Sequence, residues 1–343
     1  MLSEQRGKGR GEQWRERWAR RVLTVPLYFA LLVLYACLAP FLLPAVALYD
    51  VFRKARFAAT RTIAFFGWYL LCEVLGLLVA FALWAAYRGL PAVDYERFRR
   101  WNFELQCLWA RALGGGAFRL YGMQIENEAP AVLGRKPLLL MIRHASTADT
   151  ILAAMLIASR YDVVLRYVLK RELLWDPCLD VVGNRLINVF VRRGGEDTAA
   201  QVAAVAALAS GVGPGEGVLI YPEGTRFSRK KREQILAKLA ERGDEAALRR
   251  AASLRGVLPP RLGGTMALLE QAGDWDIAIC AHAGLEGSAS FDELWNGALV
   301  GRVVHVRTSS FSGSALPPTR EGKIDWLFDR WREVDDFVAT HQN

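Results

Sequence analysis

The chain has 343 residues, 52% of them hydrophobic and 23% charged, with a formal net charge of +9. That balance excludes a disordered protein and a many-span transporter, and fits one globular domain with a few membrane segments. A basic surplus suits anionic partners such as acidic lipid headgroups, phosphorylated molecules or nucleic acid, without choosing among them.

Residues 1–21 form a basic segment that includes Arg6, Lys8, Arg10, Arg15, Arg17, Arg20 and Arg21. Val22 to Tyr49 then runs without a charge, and Thr62 to Tyr87 is interrupted only by Glu73. A helix needs about 20 apolar residues to cross a bilayer, so residues 22–88 are expected to be two membrane helices or a hairpin. The basic flanks, including Arg53, Lys54, Arg56 and Arg61 between the runs, do not separate two sides cleanly. Two true spans and a re-entrant hairpin both stay open. Residues 89–118 read as a connecting helix with aromatic and basic side chains, interrupted by Gly114, Gly115 and Gly116.

Residues 119–343 are expected to be the catalytic domain. Arg119 to Ile125, Pro137 to Ile142, Asp162 to Val168, Ile187 to Val191, Gly217 to Tyr221, Ile277 to Ala281 and Arg302 to Val306 read as strands. Thr150 to Ser159 and Thr198 to Ala209 read as helices between them. Such alternation predicts an α/β fold, a sheet covered on both faces by helices, with functional groups in loops at the strand ends. Arg229 to Arg255 reads as a charged surface helix, and Ile324 to Val338 as an amphipathic closing helix.

Cys37, Cys72, Cys107, Cys178 and Cys280 are scattered and lack a CxxC pair, so neither a zinc site nor a disulfide framework is indicated. No metal-ligand cluster is apparent either. The chemistry is better sought at His144, one of four histidines, which follows the most apolar strand and precedes Asp149 by five residues. A carboxylate at that distance can turn back to the ring and fix its tautomer, leaving a base able to take a proton from a hydroxyl. Tyr221-Pro222-Glu223-Gly224-Thr225-Arg226 ends another strand and offers a stiff exit, a close backbone approach and polar contacts to a hydroxyl and a phosphate. Lys170, Arg192 and Arg193 place cations at further strand ends. Taken singly, these are also what a surface turn and a solvated basic rim look like. His282 and His305 lie within strands, lack such an aspartate and read as structural.

Together the motifs resemble the glycerolipid acyltransferases, the lysophosphatidic acid acyltransferases in particular. His144, Ser146 and Asp149 match the first motif of that family; Lys170, Glu172, Leu173, Pro177, Phe190 and Arg193 match its second region. Tyr221 to Arg226 match the third, with Ser228 displaced by Phe227. Leu258-Pro259-Pro260-Arg261 and Val303 to Arg307 are similar to the branch of lysocardiolipin acyltransferase-like enzymes. Arg143 stands where asparagine is common, Asp180 and Ile187 replace frequent glycines, and the usual valine-proline-valine strand is absent in that form.

The resemblance implies a mixed sheet flanked by helices, in a membrane-bound enzyme with its catalytic domain on the cytoplasmic face. An acyl chain would pass from acyl-CoA or acyl-carrier protein to the free hydroxyl of a lysophospholipid, 1-acyl-sn-glycerol-3-phosphate foremost, giving phosphatidic acid. His144 would be the base and Asp149 its orienting partner. Lys170, Arg193 and Arg226 would hold the acceptor phosphate, with Glu223, Gly224 and Thr225 completing the substrate site. No cofactor is implied beyond the acyl donor. Other lysolipids (lysophosphatidylglycerol, lysocardiolipin) remain alternatives as acceptors. A hydrolase and a catalytically silent lipid-binding module remain alternatives as functions, and nucleic acid is not an expected partner.

Overall fold

A computed structural model describes residues 2–146, 148–191, 199–286 and 290–341, with side chains from Trp14 onward. The basic segment is not separate from the first apolar run: helix α1 (Leu2–Arg53) takes in both, despite Pro26, Pro40 and Pro44. It is followed by α2 (Ala58–Gly89) and α3 (Tyr95–Tyr121). Both α1 and α2 are long and apolar enough to cross a membrane by length and composition. One face of the apolar stretch of α1 packs along α2, where Tyr28 meets Tyr69 at 3.0 Å, while Leu23, Leu27, Val33, Leu34, Leu38 and Phe41 on the rest of it stay exposed.

Both ends of the apolar stretch of α1 nevertheless touch the same globular body. Near its start, Arg20 and Arg21 grip Asp180 at 3.1 and 3.0 Å, and Arg171 pairs with Glu16. At its far end Arg53 donates to Asn296 at 2.9 Å and Tyr49 packs on Trp295. These contacts lie 33 residues apart along one helix, about 50 Å at the ordinary helical rise. Asp50 closes the turn by accepting from the backbone N–H groups of Ala59 and Thr60 at the start of α2. Glu73, the one charge in the second apolar run, is fully buried and accepts from Trp109 on α3 and from the backbone of Cys178.

The globular body is built on a seven-stranded mixed sheet. Its strands are β1 (Gln124–Glu128), β2 (Leu138–Ile142), β3 (Val164–Lys170), β4 (Val189–Val191), β5 (Glu216–Ile220), β6 (Asp276–Ala283) and β7 (Val303–Ser312). They lie in the order β1-β7-β6-β2-β5-β3-β4, parallel throughout except for the antiparallel pair β6–β7. Between strands run α4 (Asp149–Leu152), continued by a π-helical stretch (Ala153–Ala158) into α5 (Ser159–Tyr161), then α6 (Pro177–Gly183), α7 (Ala199–Ala207), α8 (Arg229–Glu241), α9 (Glu245–Ala252), α10 (Leu262–Leu269) and α11 (Phe291–Trp295), with α12 (Arg320–His341) closing the chain. All five residues of β2 are buried, as a central strand covered on both faces requires. Leu138, Leu140 and Ile142 face the core beneath α3 and the α4 turn, while Leu139 and Met141 face the one built with α7, α10 and α12.

Two expectations are corrected. The strand read at Arg119 to Ile125 starts only at Gln124, because α3 continues to Tyr121. Its stop is Gly122, at φ +65°, whose N–H returns to the carbonyls of Arg119 and Phe118. Nor do the three glycines interrupt α3, which runs straight through them. Two of them are where other elements come close: a Cβ on Gly114 would meet Met155, and one on Gly116 would sit 1.9 Å from Nε1 of Trp68, the indole of α2 that donates to the carbonyl of Ala112. A Cβ on Gly115 would meet nothing within 4 Å.

The neighbouring glycines should therefore respond oppositely to alanine. Thermal unfolding in detergent is expected to show Gly115→Ala unchanged or stabilised by up to about 1 kcal/mol, from helix propensity. Gly116→Ala is expected to cost about 1–3 kcal/mol through overpacking against Trp68.

Candidate active site

The sheet order brings together what the sequence scatters. Reading along β6, β2, β5, β3 and β4, the residues at or just past the strand ends are His282, His144, the Tyr221–Arg226 turn, Lys170 and Val191. Adjacent strands are about 4.8 Å apart, so Lys170 lies two spacings, about 10 Å, from the strand that carries His144. Arg193, two residues beyond β4, and Arg192 lie outside the described residues.

His144 is held by both of its backbone groups. Its N–H donates to Oε1 of Glu223 at 2.7 Å, and its carbonyl accepts from the N–H of Phe227 at 2.9 Å. The third motif is thus the bracket that holds the first. The imidazole rests against the Tyr221 ring, centroids 4.7 Å apart, and is 16% exposed. Nδ1 meets Oδ2 of Asp149 at 3.0 Å. An ionised carboxylate only accepts, so Nδ1 carries the proton and Nε2 presents a lone pair. Among the described residues Nε2 has no hydrogen-bond partner.

Asp149 is fully buried. Its Oδ2 also accepts from the backbone N–H groups of Ala145 and Ser146, at 2.7 and 2.9 Å. Oδ1 accepts from Oγ of Ser146 at 2.8 Å and lies 3.5 Å from Nε2 of His282. Burial alone would raise its pKa, but the two histidines and the Ser146 N–H outweigh burial and hold it below the ordinary aspartate value. The carboxylate therefore stays charged at neutral pH. Ser146 is itself fully buried, its hydroxyl engaged with Asp149 and with the N–H of Ala148. It supports the turn and has no access to a substrate.

Glu223 departs from the role expected of it. Rather than facing an acceptor, it is 1% exposed, with Oε1 on the N–H of His144 and Oε2 on that of Leu258 at 2.9 Å. Its carboxylate is committed to the backbone beneath the histidine, which makes it a positioning residue. Gly224 adopts φ +64°, and a Cβ there would lie 2.7 Å from the Arg261 side chain. The positive φ and that close packing both call for glycine here. Thr225 accepts from Nζ of Lys231 at 3.1 Å and so helps to shape the same turn, while Arg226 is half-buried, with its carbonyl on that ammonium. Lys170 is partly exposed at the end of β3, 3.4 Å from Glu172.

Sequence reasoning missed three residues beneath the site. Arg143, noted only as a departure from a motif, has a fully buried guanidinium that donates to the carbonyl of His282 at 2.6 Å, to Oε1 of Glu286 at 2.5 Å and to the carbonyl of Gly256 at 3.2 Å. His282, read as structural for want of an aspartate partner, lies beside Asp149. Trp331 of α12 donates to the carbonyl of Leu258, the residue whose N–H binds Glu223. The first two form the only available signal: charged or titratable residues at the ends of otherwise apolar strands. No group of side chains suited to hold a metal ion occurs among the described residues.

Burial pushes the pKa of Glu223 up to about 7, with Arg143 and the two N–H donors opposing it. An acid raised above its unfolded value contributes stability that is present below about pH 4.5 and lost as pH rises through about 7. Glu223→Gln, which does not titrate, is expected to lower stability by about 1–3 kcal/mol through an imperfect pairing but to flatten the decline between pH 5 and 8. Melting curves of both proteins across that range measure the difference.

Comparison with known proteins gives two findings. Residues 123–280 match a family model described as Acyltransferase. Among solved structures, the 1-acyl-sn-glycerophosphate (LPA) acyltransferase PlsC from Thermotoga maritima is similar over 79% of this chain and 97% of its own, at 12% identity and a TM-score of 0.48. A likeness at that level says nothing specific about activity. No curated protein matches the sequence. The family match agrees with the resemblance carried by the motifs, and the segment that holds His144, Asp149 and Glu223 is a domain of the acyltransferase family.

Proposed function

We propose that this acyltransferase moves a fatty acyl chain from acyl-CoA or acyl-carrier protein to the free hydroxyl of a lysophospholipid, with 1-acyl-sn-glycerol-3-phosphate as the first acceptor to test. One observation carries the reading: His144 keeps Nε2 free as a base because Asp149, locked in place by three other donors, takes Nδ1. Nε2 would accept the hydroxyl proton as the oxygen attacks the thioester carbonyl. The C–S bond then breaks, and the imidazolium returns the proton to the departing thiolate. Asp149 stabilises the imidazolium without taking its proton. Lys170 and Arg226, with Arg193 by motif position, are assigned to the acceptor phosphate. The choice of first acceptor follows from the motif resemblance.

The setting proposed for this reaction is one face of a membrane. A helix that crossed the bilayer would carry its far end some 30 Å away from a domain on the near side. Here α1 is tied to the catalytic body by Arg20 and Arg21 at one end and Arg53 at the other. Its exposed apolar face and basic N-terminal turns suit a helix lying in one leaflet beside anionic lipid, cytoplasmic by the charge argument. A cysteine at Ala55, between α1 and α2, should react with a membrane-impermeant reagent from the side of the catalytic domain. Labelling only from the opposite side would overturn this placement.

Detergent-solubilised protein supplied with labelled acyl-CoA and a panel of lysophospholipids is expected to yield one preferred diacyl product. His144→Ala should lower turnover about 10³-fold. Asp149→Asn should lower it at least about 10²-fold, since an amide N–H facing Nδ1 forces the proton onto Nε2. Free fatty acid without diacyl product, from every donor and acceptor offered, would favour hydrolysis. Turnover unaffected by His144→Ala would refute the mechanism.

A further inference from the structure

The mechanism uses one edge of Asp149. The other edge, Oδ1, faces a residue from a different part of the chain. His282 enters from β6, is fully buried, and brings Nε2 to 3.0 Å from the carbonyl oxygen of Arg143 and 3.5 Å from Oδ1 of Asp149. Both neighbours of Nε2 are acceptors, so the proton of the ring must sit on that nitrogen. The opposite tautomer would aim a lone pair at two oxygens.

We propose that His282 is a second positioning residue of the acyltransferase site: its Nε2–H, donated to the Arg143 carbonyl at 3.0 Å, keeps its positive end 3.5 Å from Oδ1 of Asp149, which tempers the carboxylate's charge and favours the rotation that aims Oδ2 at His144. This rests on the reading of His144 as the base. The arrangement is braced from two sides. Arg143 donates to the carbonyl of His282 itself, so residues 143 and 282 hold each other across β2 and β6. Glu286, just past β6, neutralises the buried Arg143 guanidinium at 2.5 Å. The charged groups facing His282 are thus Asp149, Arg143 and Glu286. Burial lowers the pKa of His282, which keeps the ring neutral at pH 7 and acting as a donor rather than as a counter-charge.

The consequence for His144 has a sign. Without the N–H of His282, the negative charge on Asp149 is less satisfied and the imidazolium of His144 is better stabilised. Its titration moves up, and less base is available at a given pH.

Three variants of the full chain in detergent test this: His282→Leu, which removes the donor; His282→Asn, which carries an amide too short to reach Asp149; and His282→Gln, whose amide reaches the Nε2 position. The first readout is the NMR titration of the His144 ring, assigned among the four histidines by substitution, which needs no substrate. The second is kcat and KM with oleoyl-CoA and 1-oleoyl-glycerol-3-phosphate.

His282→Leu and His282→Asn are expected to raise the His144 midpoint by about 0.5 unit. They should lower kcat about tenfold, as for one hydrogen bond to a charged group, with KM within about twofold. His282→Gln should restore both. A residue that only filled space would alter the amount of folded protein while leaving midpoint and kcat per folded molecule alone. That result, or His282→Gln as impaired as His282→Asn, overturns the inference. If His282→Leu does not fold, the Asn and Gln variants decide alone. If wild-type protein transfers no acyl chain but the His144 midpoint moves as stated, the functional reading fails and the positioning role stands.

Discussion

The whole candidate site hangs from the carboxylate of Glu223. It lies under β2 and β5, and its two oxygens bind backbone N–H groups from two distant segments, His144 and Leu258. Leu258 in turn is held through its carbonyl by Trp331 of α12. A line of hydrogen bonds therefore runs from α12 to His144. A buried carboxylate is a costly way to join two backbone groups. Its worth is geometric, because two N–H donors aimed at one planar group leave little freedom to either loop. Arg143 stands nearby as the compensating charge and spends its own donors on three further anchor points.

The fold was legible where hydrophobic pattern and topology coincide. Five consecutive apolar residues in β2 read as a central strand, and the alternation of strands with helices implied an α/β sheet covered on both faces; that the sheet is mixed came from the family resemblance. What pattern could not supply was the end of α3. Leu120, Tyr121, Met123 and Ile125 look strand-like, and the signal that divides them is a single residue, Gly122, whose positive φ is invisible in periodicity. The glycines at 114–116 misled for a related reason. Local propensity treats glycine as a breaker, whereas here Trp68 needs the room that a side chain at Gly116 would occupy. Such demands come from tertiary contacts and are not written into the local sequence.

The site shows the same division. His144 and Asp149 are five residues apart, and their pairing follows from a turn short enough to anticipate. The place of Glu223 in the third motif was legible, but its direction was not. A glutamate beside a glycine and an arginine suggests a substrate contact, and only the packing of Leu258 reveals that it points inward. His282 was harder still, because its partner is 133 positions away and meets it only through the register that sets Ile142 beside Cys280. Charge in an otherwise apolar strand was the available hint, as it was for Glu73 in α2, whose carboxylate faces Trp109 and the start of α6.

The seating of α1 at both ends also bears on the membrane. On the placement and the reaction proposed here, the helix wedges apart lipids of the near leaflet alone, and each diacyl product released beside it joins that same leaflet. Synthesis then enlarges one sheet of the bilayer while the other keeps its area. The mismatch grows with every turnover, and it relaxes only when lipid is carried across to the far side or the membrane bends.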